Sequence, residues 1–135
     1  MSLLTSNRFL SCNLLCSSLM QNSEVLFSGF VNNKGRMITC GKNNSLNFHN
    51  ENSLEMFVME IVLDFSMKNE FNDVLGKVEY AVTKRKNTNV ICIPMDELIL
   101  VIITDNYISV ERVVKKVYHA LSTFVKAEVK LDELV

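Results

Sequence analysis

Four cysteines and two histidines are the residues of this 135-residue chain best suited to covalent or metal chemistry. Cys12 and Cys16 stand four apart, which places them on one helix face, and Cys40, Cys92, His49 and His119 could complete a ligand set by residue type alone. Their spacing argues against it. Structural zinc takes closely spaced cysteine pairs on knuckle-like turns, whereas Cys40 and Cys92 fall inside strand patterns and His119 lies opposite the apolar stripe of its helix. The expectation is buried free thiols that pack as small hydrophobes, with no metal and no cofactor. For catalysis the pairings on offer are a cysteine with a histidine, or Glu60 with Asp64 one helical turn apart. No third group to orient a base can be named, and carboxylates at i, i+4 followed by Lys68 are what a hydrated helix seam contains. No catalytic residue is assigned, and the chain is expected not to be an enzyme.

Lys84, Arg85 and Lys86 form the one basic triplet, on a predicted hairpin turn, where they could contact a phosphate or an acidic partner. No interleaved aromatics or long basic stripe accompany them, so nucleic acid is not an expected partner. Asn32-Asn33-Lys34-Gly35 offers backbone N–H groups to an anion, but without a second glycine or a following helix it reads as a turn.

Composition sets the frame for these residues. Hydrophobic residues make up 48% of the chain and charged ones 21%, with four Gly and one Pro, which excludes a disordered or low-complexity chain. Fourteen basic and fifteen acidic residues leave a net charge of −1, too little for a field that grips nucleic acid or an anionic membrane. The length suits a single domain over 1–135, with a core of about 6–125 and a tail at 127–135 that either extends the last helix or frays. The longest apolar run, Leu98 to Ile103, is far short of the roughly 18 to 20 residues that cross a bilayer. No basic segment introduces the N-terminal leucines, so the expected location is the cytoplasm, with reduced thiols and no membrane partner.

Apolar spacing between Ser6 and Met20 (Phe9, Leu10, Leu14, Leu15, Leu19) predicts a first helix. Val25 to Val31 and Arg36 to Cys40, joined by the turn at Asn32–Gly35, predict a β-hairpin. Gly41 to Asn52 reads as a loop. Asn52 with Glu55 has capping-box spacing and opens a second helix running to about Phe71. At 100° per residue Leu54, Phe57, Val58, Ile61, Val62 and Phe65 form one stripe of that helix, and Met56, Met59, Leu63 and Met67 form a second on the opposite side. Val78 to Thr83, Val90 to Ile93 and Leu98 to Thr104 predict three more strands, the last apolar at every position and therefore central, with helices above and below. Ser109 caps a last helix whose stripe is Val110, Val113, Val114, Val117, Leu121, Phe124 and Val125.

The order helix, strand, strand, helix, strand, strand, strand, helix predicts a three-layer α/β domain: a five-stranded, mostly antiparallel sheet with the first and last helices on one face and the middle helix on the other. This layout, with Phe27-Ser28-Gly29-Phe30-Val31-Asn32-Asn33-Lys34-Gly35-Arg36-Met37-Ile38 as its hairpin, resembles the roadblock/LC7 superfamily over about Ser6 to Val125. It is also similar to small archaeal proteins with a comparable hairpin and a following Leu75-Gly76-Lys77-Val78-Glu79-Tyr80 stretch. The resemblance implies a profilin-like fold, homodimers formed through the helix after the hairpin and the strand that follows it, and an adaptor or regulator role toward small GTPases or related assemblies. It implies no enzyme activity.

The second stripe leads to self-association independently, because Met56, Met59, Leu63 and Met67 remain once the first stripe packs on the sheet. Burying four such side chains contributes on the order of 6 to 12 kcal/mol before association costs, at roughly 1.5 to 3 each. Tyr80 and Val82, on the following strand, complete the expected interface. Two alternatives stand beside this reading. The Gly41–Asn52 loop could cover the stripe, and a pocket between sheet and helix could make the domain a small-molecule sensor.

Overall fold

The computed structural model describes residues 3–43 and 46–133, and the side chains of 10–43 and 46–122. The elements are α1 (Leu3–Met20), β1 (Val25–Asn32), β2 (Met37–Lys42), α2 (Glu51–Asn69), α3 (Asn72–Leu75), β3 (Ala81–Lys84), β4 (Thr88–Met95), β5 (Leu98–Asp105) and α4 (Val110–Glu133). The strands form one sheet in the order β2-β1-β5-β4-β3, every neighbouring pair antiparallel. The all-apolar strand β5 is therefore central, as its sequence predicts. Its residues divide by parity: Leu100 and Ile102 face α1 and α4, while Ile99, Val101 and Ile103 face α2.

Two cores result, one on each side of the sheet. Cys12, Leu15 and Cys16 of α1 and Val113, Val114 and Val117 of α4 bury one side of β1, β4 and β5. Val58, Ile61 and Phe65 of α2 bury the other against Phe27, Val31, Val90 and Cys92. The two layers of helices sit on the faces expected from the element order.

Several local expectations are corrected. On α1 the thiols Cys12 and Cys16 face the core with Leu15, while Leu10 and Leu14 are exposed, so the leucine spacing misplaces that helix's inner face. Asn50, not Asn52, caps α2: its Oδ1 accepts from the Ser53 N–H at 2.9 Å, and Ser53 stands at the third helical position where the capping box puts Glu55. A four-residue helix, α3, lies between α2 and Gly76 where no separate element is predicted. Strand β3 begins at Ala81, not Val78, because pairing with β4 starts at Ala81↔Cys92. Strand β4 is longer than predicted and contains Pro94, which pairs with Ile99 but lies two residues beyond Cys92, the last β4 residue that β3 reaches. Helix α4 continues through 127–133, so the tail extends it; Phe9, Phe124 and Val125 lie outside the residues whose side chains are described.

Candidate functional site

The middle helix carries the candidate site. Its capped start at Asn50 fixes the rotation of α2, and burial of Val58, Ile61 and Phe65 aims the opposite side into solvent. On that side Met56 is 73% exposed, Met59 43%, Leu63 56% and Met67 62%. Four large apolar side chains at helical spacing thus face water in one chain. The described residues of the loop do not cover them. Its Leu46 and Phe48 pack instead into the α2–sheet core, where Phe48 stacks at a tilt on Phe57 (centroids 5.4 Å apart) and meets Phe27 edge-on at 6.3 Å. Met59 is the least exposed of the four, because its methyl end lies over Gly35 in the β1–β2 turn.

Exposed apolar residues continue beyond α2. Phe71, at the start of the short α3, and Val74 and Leu75 within it are all solvent-facing, and the sequence reading does not include them among the contacts. The signal is present in the sequence, since Met59, Leu63, Met67 and Phe71 repeat every four residues and Leu75 adds another step.

Strand β3 is the open edge of the sheet next to β4. Val82 is exposed there, but Tyr80 is half-buried and packs in the α1–α4 core, close to where Tyr118 Oη donates to the Glu79 carbonyl at 3.2 Å. Tyr80 and Val82 share a strand parity and leave the sheet on the α4 side, whereas Ala81 packs with α2. The six predicted contact residues therefore divide into the methionine strip on one layer and Tyr80 with Val82 on the other side of the β3 edge.

The basic triplet is partly committed to the fold. Lys84 Nζ donates to Asn89 Oδ1 at 3.3 Å and to the Asn106 carbonyl at 3.0 Å, and Asn106 Nδ2 donates to the Lys86 carbonyl. Asn89 is fully buried and donates onward to the carbonyls of Asp105 and Ile108. Lys84 thus ties the β3–β4 turn to the segment after β5. Arg85 lines a narrow cleft of about 40 Å³ between α2 and β3 with Glu60, Asp64 and Cys92. That volume suits a water or two and is far below what a drug-sized ligand needs. A more open recess of about 310 Å³ lies on the same side of the sheet, between the end of α2 (Val62, Phe65, Asn69) and the β4–β5 turn (Pro94, Leu98, Ile99).

The thiols behave as core atoms. Cys12, Cys16 and Cys92 are buried; Cys40, on the edge strand β2, is exposed, contrary to the expectation for all four. Burial pushes the Cys16 and Cys92 thiols up to about 12, against a smaller lowering by the Ser28 hydroxyl at Cys16 and by Lys68 at Cys92. Such thiols stay protonated and are poor nucleophiles. Asp64 is engaged by Lys68 Nζ at 2.6 Å, one turn along α2, the hydrated seam that the spacing suggests. Among the described residues no three His, Cys, Asp or Glu side chains are grouped so as to hold a metal ion, and no helix is long and apolar enough to cross a membrane.

Solved structures share this architecture. The fold is similar to that of Myxococcus xanthus MglB (TM-score 0.68, 14% identity, covering 88% of this chain and 90% of that one). It is also similar to a roadblock/LC7 domain from Streptomyces avermitilis (TM-score 0.63, 12% identity, 91% and 98% covered) and to Schizosaccharomyces pombe profilin (TM-score 0.57, 11% identity, 86% and 97% covered). At these identities the likeness establishes the roadblock/LC7, profilin-like fold and nothing finer. No curated protein matches the sequence. The model of a family described as "Family of unknown function (DUF6659)" matches residues 9–128, and the chain belongs to that family.

Proposed function

We propose that this protein is a non-enzymatic, cytoplasmic adaptor or regulator that works as a homodimer, engaging a small GTPase or a related assembly. One observation carries the reading: Met56, Met59, Leu63 and Met67 form a solvent-facing apolar strip on a helix whose other side is already packed on its own sheet. A folded domain gains nothing from such a strip unless another surface covers it. The open edge of β3 supports this reading, since a second copy could add backbone hydrogen bonds along it, with Val82 on the α4 side of that edge. Of the basic triplet, Arg85 and Lys86 remain as contacts for an acidic partner, since Lys84 is held inside the fold. The GTPase clause follows the roadblock/LC7 resemblance, and the buried, protonated thiols support a binding role over a catalytic one.

Light scattering on the purified protein tests the dimer. The expected mass is twice 15.4 kDa for the unaltered chain and 15.4 kDa for Met59→Glu, with both proteins folded by circular dichroism. A monomer at every concentration, or a dimer indifferent to Met59→Glu, Leu63→Glu and Met67→Glu, overturns it. Recovery of a GTPase from native lysate on immobilised protein, lost with the same variants, tests the partner.

A further inference from the structure

The exposed strip has a charge as well as an apolar surface. Between Glu51 and Leu75 the chain carries six carboxylates and one lysine, a net of 1 − 6 = −5, while the whole chain is −1, so the remainder carries +4. Glu55 lies on one flank of the strip and Glu60 and Asp64 on the other, with Glu70 and Asp73 at its end. Lys68 is taken up by Asp64, Arg85 shares a cleft with Glu60 and Asp64, and Lys34 and Arg36 flank the Gly35 that Met59 covers, so carboxylates outnumber basic groups around the strip by six to four. Two copies meeting strip to strip would bring these carboxylates together, whereas an amphipathic helix with lysine or arginine beside its apolar face would meet them with opposite charge.

We infer that the α2–α3 strip docks a basic amphipathic helix of another protein. The inference rests on the strip being a docking surface, as proposed above, but not on the dimer. Methionine side chains suit such a role because their unbranched, polarisable ends adapt to different apolar partners.

The probe is a fluorescein-labelled Leu/Lys amphipathic helix of about 18 residues, long enough to hold helical structure on a surface, with a Leu/Glu peptide of the same pattern as its counterpart. Anisotropy should show saturable binding of the Leu/Lys probe that weakens as salt is raised, and no binding of the Leu/Glu probe. Neutralising the rim with Glu55→Gln and Glu60→Gln should weaken binding roughly two- to tenfold at low salt. Glu79→Gln with Glu111→Gln removes the same charge away from the strip and should change nothing. Leu63→Asn should weaken binding by roughly tenfold or more, the loss expected of a central apolar contact. Equal binding of both probes, or equal loss from the two charge-neutralising pairs, overturns the inference. Light scattering without probe reports the dimer separately: a monomer that still binds the Leu/Lys probe sinks self-association and leaves this inference standing.

Discussion

Met59 on α2 lies directly over Gly35 in the β1–β2 turn: a Cβ placed on Gly35 would stand 2.8 Å from Met59 Cε. Gly35 has φ +80°, its N–H donates to the Asn32 carbonyl at 3.0 Å, and Asn32 Oδ1 accepts from the N–H groups of Lys34 and Arg36. The hairpin turn and the exposed strip therefore share one contact, and the position of a strip residue is set by a backbone conformation that glycine adopts without strain. Gly35→Ala should destabilise the fold by about 1 to 2 kcal/mol, mostly from the left-handed backbone, since the Met59 end can swing away. Gly35→Asn, which tolerates that φ better but meets the same methionine, should lose less. Urea denaturation of the two variants separates the causes; equal losses would assign the cost to the clash instead.

The capping of α2 gives a second prediction. Asn50→Ala should cost about 1 kcal/mol because the Ser53 N–H loses its acceptor, while Asn52→Ala, at a position inside the helix, should be close to neutral. Thermal unfolding of both variants checks this. A larger loss at Asn52 would restore the cap that the Asn52–Glu55 spacing suggests.

That example shows what is legible in the sequence. Long-range parity is: an all-apolar β5 has to be central, and the two-sided apolar pattern of α2 has to leave one stripe off its own sheet, because both follow from periodicity alone. Choices between neighbouring residues are not. Asn50 and Asn52 are equivalent as capping residues by type, and the geometry of the incoming loop, pinned by Phe48 against Phe27 and Phe57, decides between them. Likewise Leu10 and Leu14 outrank Cys12 and Cys16 in hydrophobicity, yet packing against α4 and the sheet selects the thiols. Near β3 the pair Tyr80 and Val82 reads as contact residues by strand type, but their side of the sheet depends on pairing that begins at Ala81.

A third prediction concerns the buried amide of Asn89. It accepts from Lys84 Nζ and donates to two carbonyls in the segment that leads from β5 into α4. Asn89→Ala should leave those groups short of partners in a fully buried position and destabilise the protein by roughly 1 to 3 kcal/mol. Amide exchange should quicken at residues 106–108 before it does in β5. Unchanged exchange there would mean that water replaces the amide.

The last prediction follows from the two buried thiols. Cys16 and Cys92 are pushed from 9.0 up to about 12, chiefly by burial. A raised folded value means that the native state holds protons which the unfolded state releases, so the stabilisation is complete below the unfolded value near 9 and drains away as pH rises toward 12. Over that window each thiol should lower stability by about 1.4 kcal/mol per pH unit, and the two together by about twice that. Other groups ionise over the same range, so the measurement is a comparison: urea denaturation of the unaltered chain and of Cys16→Ala with Cys92→Ala, from about pH 8 to about pH 11. The variant should be less stable at the low end, where two core side chains have been cut back, but its stability should fall less steeply with pH. The two curves should therefore converge. Parallel curves would mean that the thiols ionise in the folded protein near their ordinary value, and that water reaches the space between α2 and the sheet at Cys92 or beneath α1 at Cys16.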